Sequence, residues 1–164
     1  MQKSNIKFLT LTALIAAICV IGSFIKVPGF ITTAALDSAP AFLSVALLPP
    51  LYSGIAGAMG HFATALTSGF PLGPLHIIVA IEMFIIVFIF NVLHRKGLNI
   101  LKWIFLIVAN GVLSALPFYF LISPAFFIGA IPSLLIATII NVVLTMIAMP
   151  IISKVFYERK ASNV

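Results

Sequence analysis

From Trp103 to Ser153 the sequence runs 51 residues without one Asp, Glu, Lys or Arg. A second uncharged run of 44 residues separates Asp37 from Glu82, and Phe8 to Ile25 adds another 18. Runs of this length leave no material for a polar outer shell. A spanning helix needs about 20 largely apolar residues. Backbone placed in lipid must satisfy its own hydrogen bonds, which restricts it to helices or closed barrels. Composition agrees: 63% of residues are hydrophobic and 7% charged, against about 25% charged in a soluble domain. The expected fold is an all-α integral membrane protein.

Prolines and basic loops divide the runs. Lys3 and Lys7 precede the first run, and KVPGFITTAALD at 26–37 reads as a loop with a turn at Pro28-Gly29. Pro49-Pro50 splits the second run, because proline lacks a donor and clashes with the preceding helical turn. GFPLGP at 69–74 is a second loop and HRKGLNILK at 94–102 a basic one. Ser123-Pro124 and Pro132 bracket the last connection. Six transmembrane helices follow, at about 8–25, 38–48, 51–68, 75–93, 103–122 and 130–153, in a single domain spanning 1–164. With both termini cytoplasmic, the inside segments hold eight of the nine basic residues and the outside holds only Lys26, as the positive-inside rule requires. A cleavable signal is the alternative reading of the first helix. The length of its apolar run and the spans that follow disfavour it.

Several classes are excluded by what is missing. Cys19 is the only cysteine, and CxxC, HExxH, GxxxxGK[ST] and GxGxxG are all absent. No ATPase, enzyme or cofactor-binding motif is therefore legible. The charge of +6 is concentrated at the ends of apolar runs, which suits membrane anchoring and not nucleic-acid binding.

The informative polar stretch is Gly60 to Glu82. His61, Thr64 and Ser68 form one helical stripe, with Phe70 and His76 beyond it in the loop and at the rim. His61 lies seven residues before Ser68 and Glu82 seven after Leu75, so both sit roughly 10 Å below the same face. Ionisable groups at membrane depth are expected to face a cavity or a partner. The two would then pair, share a ligand, or simply fix helix packing. Asp37 begins the short second helix, where capping is favoured over ligand contact. Asn110 and Ser114 share a face of the fifth helix, and Thr138, Asn141 and Thr145 one of the sixth; interhelical hydrogen bonding is favoured over ligand contact for these. Phe24, Phe30, Phe70, Tyr119, Phe126 and Phe127 read as an interface belt or as stacking partners for a flat ligand. Ala13 and Ala17 form an AxxxA on the first helix, which lets another helix approach closely.

The opening LTALIAAICVIGSFIKVP with its AxxxA, then LDSAPAFL, then GHFATALTSGFPLGPLH resembles the substrate-binding S component of energy-coupling factor (ECF) vitamin transporters. The resemblance covers the first half of the chain, and the second half matches in hydropathy and length. It implies a multi-pass protein of a prokaryotic plasma membrane that binds a vitamin or precursor at the extracellular side. Its partners would be a transmembrane T component and two cytoplasmic ATPases, with Ala13 and Ala17 docking on the T component. LDSAPAF with GH…TSGFPLG is most similar to members assigned to α-ribazole, a cobalamin precursor; pantothenate and cobalamin members are also similar. The expected substrate contacts are Asp37, His61, Thr64, Ser68, Phe70, His76, Glu82 and Asn110. Rival readings are a stand-alone proton-coupled carrier using His61 and Glu82, a membrane enzyme with His61, His76 and Glu82 on a metal, and a structural subunit without ligand.

Overall fold

The computed structural model describes residues 2–28 and 34–161; expectations placed on Phe30 and its neighbours at 29–33 lie outside the described residues. Helix α1 runs Gln2–Ser23, α2 Ser38–Leu43 with a 3-10 turn at Ser44–Ala46, α3 Pro50–Thr67 and α4 His76–Arg95. Asn99–Gly111 is α5, Leu116–Leu121 is α6, and Pro124–Ala161 is α7. Among the described residues the β pairing is one isolated antiparallel bridge, Lys26 to Ala35. Four stretches are long and apolar enough to cross a membrane: Asn5–Ser23, Gly73–Arg95, Leu101–Leu121 and Pro124–Phe156. With α2 and α3 they make six helical segments of an all-α integral membrane protein. The α2 segment is too short to cross by itself.

Proline sets most of the boundaries. Pro49 is extended at ψ 158° and Pro50 occupies the first turn of α3, where its missing N–H costs nothing. The fifth segment is interrupted, not continuous as the sequence suggested. Val112 departs to φ −130°, and a 3-10 turn at Leu113–Ala115 precedes α6. Pro117 explains the break: it has no N–H for the Leu113 carbonyl, and its ring crowds that turn. Pro132, expected to delimit the last connection, instead lies inside α7 together with Pro150. That helix starts at Pro124, where the Ser123 hydroxyl caps the Phe126 N–H at 3.1 Å.

Glycine allows α3 to sit at the centre. A Cβ at Gly57 would lie 2.8 Å from Val87 of α4, and one at Gly60 2.9 Å from Cys19 of α1. These faces therefore close to backbone distance. Phe42, Leu48, Val87, Phe90 and Leu106 fill the core below. At that end Asn91 Nδ2 donates to the Leu48 carbonyl at 2.9 Å and to Ser53 Oγ at 2.7 Å.

The other end carries a short ribbon between α1 and α2. Val27 N–H donates to the Ala34 carbonyl at 2.9 Å, and Leu36 N–H to that of Ile25 at 3.0 Å. Val27 and Ala34 pack with Ala115, Ala130 and Ala137, so the ribbon lies on the α6–α7 end of the bundle. Its root presses on α1: a Cβ at Gly22 would fall 2.3 Å from the Leu36 carbonyl oxygen.

Gly60→Val places branched carbon against Cys19, and overpacking of this kind costs about 1–3 kcal/mol. The thermal midpoint of the detergent-solubilised protein is expected to fall. An unchanged midpoint would mean that α1 and α3 are not this close.

Candidate functional site

Beneath the ribbon, polar side chains from five helical segments converge. Asp37 and His61 are 7% and 8% exposed, and Thr64 and His76 are fully enclosed. Asp37 does not cap α2, contrary to the expectation for a carboxylate at that position; no side-chain cap bond forms there. Its carboxylate instead accepts from the Thr64 hydroxyl, and from Ser38 Oγ at 3.1 Å. The carboxyl group is thus tied across to α3 and lines the interior cavity.

The two histidines form a directed pair. Leu72 N–H donates to His76 Nε2 at 3.2 Å. That nitrogen must be bare, so the neutral ring carries its proton on Nδ1. His76 Nδ1 lies 3.0 Å from His61 Nε2 and donates to it. His61 in turn keeps its proton on Nδ1. The loop backbone thereby sets the tautomer of a buried ring two links away. Phe70, at φ 50°, packs edge-on to His76 with centroids 5.6 Å apart.

Asn141 of α7 holds the ribbon and α2 in place. Its Oδ1 accepts from Ala39 N–H at 2.8 Å, and its Nδ2 donates to the Ala35 carbonyl at 2.9 Å. Asn110 Nδ2 donates to Thr138 Oγ1 at 2.7 Å, joining α5 to α7. These groups enclose a cavity of about 70 Å³ lined by Asp37, Ser38, His61, Asn110, Ser114, Thr138 and Asn141, among others. An apolar compartment of about 40 Å³ lies beside it, lined by Leu72, Phe118, Phe126 and Ala130. The two share Val79, Ser114 and Leu134 as walls. At the mouth, Lys26 Nζ donates to Ser68 Oγ at 2.6 Å, which spans the ribbon and the 68–72 loop. Burial holds this ammonium below its ordinary range, while the charge of Asp37 acts in the opposite direction.

A family model described as the ECF-type riboflavin transporter S component matches residues 3–158. The chain belongs to that family. Comparison with curated proteins and with solved structures returns no match. As an S component it is a substrate-specific membrane subunit of a transporter that works with a T component and ATPases.

Of the expected contacts, the structure brings Asp37, His61 and Asn110 to one cavity in this S component. Thr64 and His76 stand one hydrogen bond behind it, Phe70 behind His76, and Ser68 at the mouth. Glu82 is set apart. It lines a separate groove with Ile85, Ile89 and Phe105, and its Oε2 is buried without a partner. His61 pairs with His76, not with Glu82, and among the described residues no three His, Cys, Asp or Glu converge as metal ligands. Sequence reasoning assigned Ser114, Thr138 and Asn141 to helix packing; all three also face the cavity. Their helical spacing signalled a shared face, but not what lay opposite it. Ser38 adjoined a residue read as a cap.

Side-chain nitrogen NMR is expected to find both His61 and His76 protonated at Nδ1. A signal for Nε2–H in His76 would overturn the backbone bond from Leu72.

Proposed function

We propose that this S component captures a vitamin-type molecule from the extracellular side, with both termini in the cytoplasm of a prokaryotic cell, for import driven by two partner ATPases. The observation that carries this reading is a polar cavity adjoining an apolar one beneath a ribbon at one end of the bundle. Hydroxyl groups suit Asp37, His61 and Asn110. A flat ring suits the compartment of Leu72, Phe118 and Phe126. Asp37, His61 and Asn110 are assigned to direct contact, while Thr64, Ser68, Phe70 and His76 orient them or close the mouth.

The substrate assigned is α-ribazole, which joins a dimethylated aromatic bicycle to a sugar. Riboflavin, the vitamin in the family's description, also joins a dimethylated ring system to a polyhydroxylated arm and is the second reading. Pantothenate lacks the ring, and cobalamin would demand a far wider opening of the site than α-ribazole or riboflavin. A cavity of about 70 Å³ holds about two waters, and drug-sized ligands occupy clefts of about 300–1,000 Å³. Binding therefore requires the ribbon and the 68–72 loop to part and reclose over the ligand. The separation of Glu82 from His61 removes the proton pair on which the stand-alone carrier was built.

Mass spectrometry of small molecules co-purified with the protein, followed by competition between α-ribazole and riboflavin, tests the assignment. Displacement of α-ribazole by riboflavin at equal concentration would transfer the assignment to the flavin; binding of neither would end it. Asp37→Asn and His61→Ala are each expected to weaken ligand affinity about tenfold or more, the scale of a lost charge-assisted hydrogen bond. Glu82→Gln is expected to leave affinity unchanged, and a loss there equal to that of Asp37→Asn would relocate the site.

Ala13 and Ala17 are exposed on the outer face of α1, available to a partner helix. Replacing both with Phe is expected to reduce uptake in the assembled transporter more than about tenfold by blocking close approach, with ligand binding retained. Lost binding would instead place these alanines in internal packing.

A further inference from the structure

The turn between α4 and α5 gathers positive charge among neutral partners. His94, Arg95 and Lys96 close α4, Gly97 turns the chain at φ 71°, and Lys102 returns on α5. Lys102 is only 5% exposed. Its Nζ lies 3.1 Å from His94 Nδ1 and 3.1 Å from Asn99 Oδ1, both uncharged acceptors. Arg95 Nε donates to Asn91 Oδ1 and Nη2 to the Leu48 carbonyl, each at 2.8 Å and each again neutral. Lys96 is exposed beside them. Buried charge is ordinarily paired. Here the ammonium meets two neutral acceptors and, 5.2 Å away, the Trp103 ring, and the guanidinium meets two neutral oxygens, so among the described residues no carboxylate offsets their summed field.

The adjoining surface narrows the choice of anion. Ile100, Ile104 and Val108 on α5 are 77%, 55% and 45% exposed. They recur every fourth residue and form an apolar stripe that starts at the basic turn and runs toward the bundle's middle. In a bilayer acyl chains cover this stripe, which holds lipid headgroups beside the turn, whereas a free inorganic anion or an acidic protein segment would use the charges alone. A molecule with a negative head and a hydrocarbon tail meets both.

We propose that the α4–α5 turn seats the phosphate of an anionic phospholipid on Arg95, Lys96 and Lys102, with an acyl chain along Ile100, Ile104 and Val108. Arg95 supplies its unused guanidinium donors, Lys96 the mobile outer contact, and Lys102 a fixed charge beneath. The seat lies at the opposite end of the bundle from the ribbon, so it is independent of the substrate assignment.

The test is native mass spectrometry of the full chain released from mixed phosphatidylglycerol and phosphatidylcholine nanodiscs. Phosphatidylglycerol is expected to be retained over phosphatidylcholine about thirtyfold or more, the scale of two or three basic residues at a lipid surface. Lys102→Gln and Lys96→Glu should each bring retention toward parity, and Lys7→Gln, on α1 at the same end, should not. Lys96 is exposed, so its variant reports even where Lys102→Gln fails to fold. Equal retention of the two lipids, or equal loss in Lys7→Gln and Lys96→Glu, would overturn the proposal. Displacement of the lipid by inorganic phosphate at matching concentration would also overturn it, reassigning the turn to a free anion.

Discussion

Hydrocarbon supplies no hydrogen bonds, and the ribbon end of this protein is arranged around that fact. The polar side chains around the cavity are answered by other elements, while Glu82 Oε2, in its separate groove, is left without a partner. Asp37 answers to α3 through Thr64, His61 answers to His76, and His76 answers to the loop amide of Leu72. Asn141 answers to two backbone groups on either side of Asp37. Unmade bonds in a low-dielectric interior cost about 1–3 kcal/mol each, so these links reinforce one another more than apolar contact alone would. The same scarcity of solvent keeps the cavity polar, because its lining groups retain capacity that the protein does not use.

Glycine and proline position this cluster from a distance. Gly57 and Gly60 bring α1 and α4 against α3, which carries His61 and Thr64. The break that Pro117 forces between α5 and α6 places Ser114 at the wall common to the polar and apolar compartments. The same residue also borders the groove that holds Glu82. One proline thus bears on where three voids meet, although it lines none of the three.

Much of the architecture was legible because it follows from local rules. Uncharged runs of spanning length, Pro49-Pro50 and the GFPLGP loop were sufficient to recover an all-α membrane chain with a short second segment. The interruption at Val112 was missed because a single proline five residues later gives no period change in an apolar run. Pro132 misled in the opposite direction: within an α7 of 38 residues, neighbouring bonds carry the helix past it. Depth along a helix axis put His61 and Glu82 at one level, and the structure has them line different voids. Two residues at equal depth need not face one another, and rotation about the axis depends on packing that spacing alone does not record. Asp37 shows the converse, since a capping position hid a tertiary bond to a residue 27 positions away.

The absence of room for any side chain at Gly22 carries a mechanical meaning. There the first helix and the root of the ribbon touch backbone to backbone, with no flexible group between them to absorb movement. The helix that offers Ala13 and Ala17 to the membrane is therefore in rigid register with the cover of the cavity. A sideways shift of that rod is passed to the root of the ribbon directly, because backbone meets backbone there.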